Sequence, residues 1–154
     1  MLPTAAYTWY EQTNWATNLD VEFGGTHYTD WRLPIIFDQS CSGLNCTNSE
    51  MGYLYYTGLG NSAGSLTNTG DFLNLARSYY WSGTTSAPNE NYAWIHTFNG
   101  GGQNGGFGKT NKYFAIAVRS GDVSVVPEPV SSTLFIIGGA TLGFRRFRKK
   151  TRSI

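Results

Sequence analysis

The 154-residue chain is short of charge: 14% of its residues are Asp, Glu, Lys or Arg, while 16% are aromatic and 19 are glycine. That balance excludes a charged helical bundle and fits a loop-rich extracellular fold. Histidine is scarce too, with His27 and His96 the whole supply. A nucleophile–base–acid set would have to recruit one of them, and nothing local fixes such a set, so both are expected to make ordinary hydrogen bonds, in a loop and in a strand. The two cysteines, Cys41 and Cys46 of CSGLNC, are too few for zinc without further ligands. No metal site and no cofactor is expected, and the pair is expected to close a disulfide in an oxidising compartment, worth roughly 2 kcal/mol by chain entropy. A secretory leader is also missing. The opening MLPTAAYTWYEQTNW has neither a basic start nor an apolar core of about 7 to 15 residues.

What charge there is divides unevenly. All ten acids lie between Glu11 and Glu128 and share that stretch with five bases, Arg32, Arg77, Lys109, Lys112 and Arg119. Six further bases crowd into the last ten positions with no acid beside them. A body net negative by five makes a poor partner for nucleic acid.

The tail combines three signals. Val126, Pro127, Glu128 and Pro129 are followed by fifteen uncharged residues, 130–144, and then by Arg145, Arg146, Arg148, Lys149 and Lys150. Fifteen helical residues reach about 22 Å, short of a hydrocarbon core of about 30 Å. A short hydrophobic helix over 130–147 would cross with snorkelling arginines or local thinning. The basic cluster favours the cytoplasmic side, leaving residues 1–129 outside. This arrangement resembles the PEP-CTERM sorting signal of bacteria that make extracellular polysaccharide. The resemblance implies recognition by an exosortase, a transient stay in the inner membrane of a Gram-negative-type bacterium, and removal of the helix and tail. The protein would then reach the cell envelope, outer surface or extracellular matrix. An export address without a leader implies that the sequence is truncated at its N-terminus or starts at an internal methionine.

Along the body, Trp9, Trp15, Ala16 and Leu19 share one side of a helix over residues 8–19. Gly24 and Gly25 then open a loop that runs to Pro34. Thr47 with Glu50 suggests a capping box for a second helix carrying Met51, Leu54, Tyr55 and Leu59 until Gly58 and Gly60 stop it. Aromatic and β-branched runs at 79–82, 92–98 and 113–119 predict strands. The glycine-rich NGGGQNGGFGKTNK between the last two reads as an irregular hairpin tip. Helices first and an antiparallel sheet after them predict an α+β fold.

Some patterns are decoys. GGGQNG at 100–105 has the spacing of a dinucleotide fingerprint but lies between strands rather than at a helix start, and GFGKT at 106–110 lacks the first glycine of a P-loop. Asn89, Glu90 and Asn91 offer oxygen ligands yet read as solvated turn residues.

The succession TDWRLP (29–34), YWSGTT (80–85), Tyr92-Ala93-Trp94 and Ala117-Val118-Arg119 resembles the Lcl C-terminal-like domain family over about residues 7–122. The resemblance implies a fold related to C-type lectin-like domains, a role in adhesion or polysaccharide binding, and an additional strand segment ahead of the first helix. The motifs themselves read as structural: Arg32 needs carboxylate or carbonyl partners, and Trp31, Trp81 and Trp94 suit a shared core. The expected organisation is therefore a domain over 1–125 and a sorting signal over 126–154. The leading expectation is a non-enzymatic, exported protein that binds polysaccharide, with Tyr92, Trp94, Asn99, Gln103, Asn104 and Phe107 as the candidate contacts. The alternatives are a purely structural surface or biofilm protein and, by fold analogy alone, an oxidase of the formylglycine-generating type.

Overall fold

A computed structural model describes residues 5–121. The sorting motif at 126–129, the hydrophobic helix at 130–147 and the basic tail lie outside the described residues. Among the described residues, no helix is long and apolar enough to cross a membrane.

Antiparallel sheet dominates, with little helix, so the expected sheet is present and the helical share is smaller than the α+β expectation. Helix α1 spans Trp9–Thr17, within the predicted 8–19. Its start is set by a capping box that the sequence reading passed over: Thr8 Oγ1 accepts from the Glu11 amide, and Glu11 accepts from the Thr8 amide at 2.9 Å. Ala16 is buried, with Trp9, Trp15 and Leu19 packed around the same cluster. Gln12, also buried, donates to the Tyr113 carbonyl at 2.9 Å and so ties the helix to the far end of the domain.

The segment after α1, read as a loop, is a small hairpin of β1 (Val21–Phe23) and β2 (Thr26–Tyr28). Gly24 and Gly25 both take positive φ at its turn, the conformation glycine supplies at no steric cost. The second helix is shorter than expected. Helix α2 covers Glu50–Tyr53 and widens into a π-helical turn over Leu54–Gly58. Its N-cap is Ser49, not Thr47: the Ser49 hydroxyl accepts from the Gly52 amide at 3.0 Å. Glu50 therefore stands at the first helical position, and its carboxylate is free to reach Arg32.

The main sheet is β3 (Tyr79–Thr85), β4 (Tyr92–Thr97) and β5 (Gly102–Gly108) in that order. The first two match expectation. The third overturns it, because the glycine-rich stretch expected as a loose tip is itself the strand, joined to β4 by a tight turn in which the Gly101 amide bonds Thr97 O at 2.8 Å. The predicted strand at 113–119 forms only isolated bridges, to Tyr7, Tyr80 and Arg32. Its backbone bonds are divided among three partners, so no continuous ladder forms.

Each face of the main sheet carries a core. Tyr80 and Phe98 pack with Met51, Tyr55, Leu59, Leu66, Leu75 and Ile116 on one side. Trp81, Ala93 and Ile95 pack with Ala16, Leu33, Ala115 and Ala117 on the other. The alternation of Tyr80 with Trp81 and of Ile116 with Ala115 and Ala117 is the two-residue period of extended chain. Burial of a side chain such as Phe98 stabilises by about 1.5–3 kcal/mol.

Candidate functional site

The site begins with the chain that leaves β2. Arg32 exchanges two backbone bonds with Val118, at 2.9 and 2.8 Å, and Pro34 O accepts from the Gly83 amide at 2.7 Å. Leu33, Pro34 and Ile36 are buried, and the Ile36 amide is held by Thr84 Oγ1 at 2.8 Å. With Ile36 fixed inward, the extended backbone turns Phe37 outward, 61% exposed.

The opposite side is built by the disulfide loop. Cys41 and Cys46 are bonded, as expected, and the loop between them is stitched to β5: the Gly43 and Gln103 backbones exchange bonds of 2.8 and 2.9 Å. Gln103 is buried, donating to Cys41 O at 2.8 Å and accepting from the Ser49 hydroxyl at 2.8 Å. Ser49, bridged to Ile36, starts α2 and so sets the direction of Tyr53, which is 60% exposed.

Between the two lies an open cleft of about 430 Å³, lined by Phe37, Thr47, Asn48, Ser49, Glu50 and Tyr53. That volume falls in the range of small-ligand sites, roughly 300–1,000 Å³. Neither the Phe37 nor the Tyr53 ring has an aromatic partner among the described residues, and the side chains of Thr47 and Asn48 make no hydrogen bond there. Glu50, the ionic group of the lining, grips Arg32 through two bonds of 2.7 and 2.8 Å and accepts from the Ile35 amide at 2.8 Å. Burial alone would raise its pKa, but the hydrogen bonds from Arg32 and Ile35 outweigh that and hold it below the usual carboxylate value. Arg32 also donates to Leu33 O at 3.2 Å, so it has the carboxylate and carbonyl partners expected of it. The arrangement offers two flat apolar faces, a free hydroxyl, a free amide and a neutralised ion pair. Such a surface has the chemistry to stack on and hydrogen-bond a ligand.

Of the residues expected to bind sugar, Trp94 and Gln103 are buried and Phe107 is packed against other rings. Trp94 is buried, with its indole donating to Gln39 Oε1 at 2.9 Å and with no place in the core shared by Trp31 and Trp81. Gln103 is consumed by the disulfide loop and Ser49. Phe107 packs against Tyr79 and Tyr113, centroids 5.6 and 5.7 Å away. Asn99, Asn104 and Tyr92 are exposed, and the Asn104 side chain is occupied by the Gly106 amide at 2.9 Å. Of the residues sequence reasoning missed, Tyr53 carried a signal: it falls off the Met51–Leu54–Tyr55 stripe and so faces outward. Phe37 carried none, because its exposure follows from the Ile36–Thr84 bond across 48 residues.

His27 and His96 lie outside the cleft. His27 bonds Asp20 at 2.9 Å on the surface hairpin. His96, contrary to expectation, has no hydrogen-bond partner on either ring nitrogen.

The model of the Lcl C-terminal domain matches residues 3–119. The chain belongs to the Lcl C-terminal domain family. Membership in this family, together with an internal disulfide, points to a secreted or surface protein. Neither the curated proteins nor the solved structures contain a match to the chain.

Proposed function

We propose that this Lcl C-terminal domain is a non-enzymatic binding module of the cell surface or extracellular matrix, and that it holds polysaccharide in the cleft between Phe37 and Tyr53. The observation that carries the reading is the pair of exposed, unpartnered rings beside the free Thr47 and Asn48 side chains. Aromatic faces stack on the apolar faces of sugar rings, while a hydroxyl and an amide meet sugar hydroxyls. A relationship to C-type lectin-like folds is part of the proposal, and so is delivery by exosortase sorting, supported by Val126–Pro129, the apolar stretch and the basic cluster in fixed order.

The test is a glycan array probed with the purified chain and with a Phe37→Ala/Tyr53→Ala variant. At about 0.5–1.5 kcal/mol for each stacking ring, the double variant is expected to bind roughly tenfold more weakly with an unchanged circular dichroism spectrum. Uniform absence of binding by the native chain would remove the polysaccharide reading and leave a purely structural surface protein. Binding that survives the double substitution would move the site away from the cleft.

A further inference from the structure

Resting on the cleft reading, we infer that the ligand is an uncharged polysaccharide, and that sulfated and uronic-acid polymers are excluded. The inference comes from where the positive charge of the described domain is placed. Arg32 is locked on Glu50, and Arg119 on Asp30 at 2.8 Å. Lys109 is buried, with its ammonium 4.0 Å from the centre of the Trp9 ring and 2.9 Å from Thr85 Oγ1. Arg77 donates to Leu66 O at 2.7 Å, and Lys112 sits near Glu11. None of the five lines the cleft.

The one charged residue that lines the cleft, Glu50, is cancelled by its partner. Glu50 and Arg32 neutralise each other through a two-pronged contact that leaves the guanidinium fork occupied. A sulfate or carboxylate entering here would lose its hydration and meet no free cation, only the already paired Glu50, a combination that costs rather than contributes free energy. A neutral sugar has no such penalty. It can offer an apolar ring face to Phe37 and Tyr53, and its hydroxyls or an acetamido group to Thr47 and Asn48.

The experiment immobilises the full chain with the six tail bases at 145, 146, 148, 149, 150 and 152 replaced by glutamine, and compares neutral oligosaccharides, N-acetylglucosamine and unsubstituted hexose oligomers among them, with heparin and polyuronate of matched length, at about 50 and about 500 mM salt. The expected result is binding confined to the neutral set, changed less than about twofold by salt because no counterions are released, and weakened several-fold by Asn48→Ala. Preference for the anionic polymers, falling more than about tenfold between the two salt concentrations, would overturn the inference and leave the polysaccharide reading intact. Failure of every glycan to bind would overturn the inference and the polysaccharide reading together. Neutral binding untouched by Asn48→Ala and by Phe37→Ala/Tyr53→Ala would overturn the placement in this cleft.

Discussion

His96 lies between Tyr55 and Phe98, ring centroids 5.7 and 5.1 Å away, fully buried and without a partner for either ring nitrogen. Burial pushes its pKa down to about 4 from an ordinary 6.5. The folded chain thus keeps His96 neutral at a pH where the unfolded chain takes up a proton. Stability is full above 6.5 and falls as the pH drops toward 4, by about 3 kcal/mol at the limit. Glu50 acts at the lower end of this range: with its folded pKa depressed, its contribution is present above its unfolded value and is lost as acid protonates it. Urea unfolding at pH 7, 5.5 and 4.5 separates the two groups, because His96→Leu is expected to flatten the slope between pH 6.5 and 4.5. An equal slope in the variant would assign the acid sensitivity elsewhere. The sequence showed that this histidine sat in a strand. It could not show that the neighbours would be aromatic rings, because Tyr55 and Phe98 reach it from a separate helix and from the strand's own end.

At the scale of elements, α2 is short and tightly seated. Gly52 is buried in its interior, and a β-carbon there would collide with the carbonyl oxygen of Cys46 and sit 2.8 Å from Ser49 Oγ. Helix propensity alone favours Gly→Ala by about 1 kcal/mol. Here the obstacle is backbone held by the disulfide, so Gly52→Ala is expected to destabilise by about 1–3 kcal/mol, read as a lower melting temperature. A rise in melting temperature would show that Cys46 moves aside. Elements whose signals are local, such as α1 with its apolar side and β3 and β4 with their aromatic runs, were legible in the sequence. Strand β5 was not, because four glycines in seven residues carry no side-chain pattern to read. Its pairing comes from β4 on one side and Gly43 on the other, neither of which a local window contains. The cap of α2 was misplaced by two residues for a similar reason: Ser49 is selected over Thr47 by its bond to Gln103, 54 positions away.

For the whole molecule, the domain and the tail set different requirements. The domain is disulfide-linked, with Arg32 and Arg119 each paired to a carboxylate, and the tail carries the proposed sorting motif. Sorting by an exosortase predicts a mature protein that ends near Pro127–Pro129, which mass spectrometry of the C-terminal peptide from the native host would read directly. Recovery of the intact chain through Ile154 from the inner membrane would refute it. The family was legible in TDWRLP and YWSGTT because these stretches hold the Arg32–Val118 and Gly83–Pro34 joints, which belong to the framework rather than to the cleft. The cleft was not legible because its two rings come from segments joined by non-local contacts, the Ile36–Ser49 bridge and the bonds of Glu50 to Arg32 and Ile35.

Gly105 rests against the indole of Trp94: a β-carbon at position 105 would lie 2.5 to 2.9 Å from three atoms of that ring. The two positions therefore occupy one shared volume, filled entirely from the tryptophan side. Neither can be varied alone, since a side chain at 105 requires a smaller one at 94, and a smaller one at 94 leaves a void under bare backbone. A residue that composition alone counts as slack is, in this strand, the missing half of an aromatic's packing.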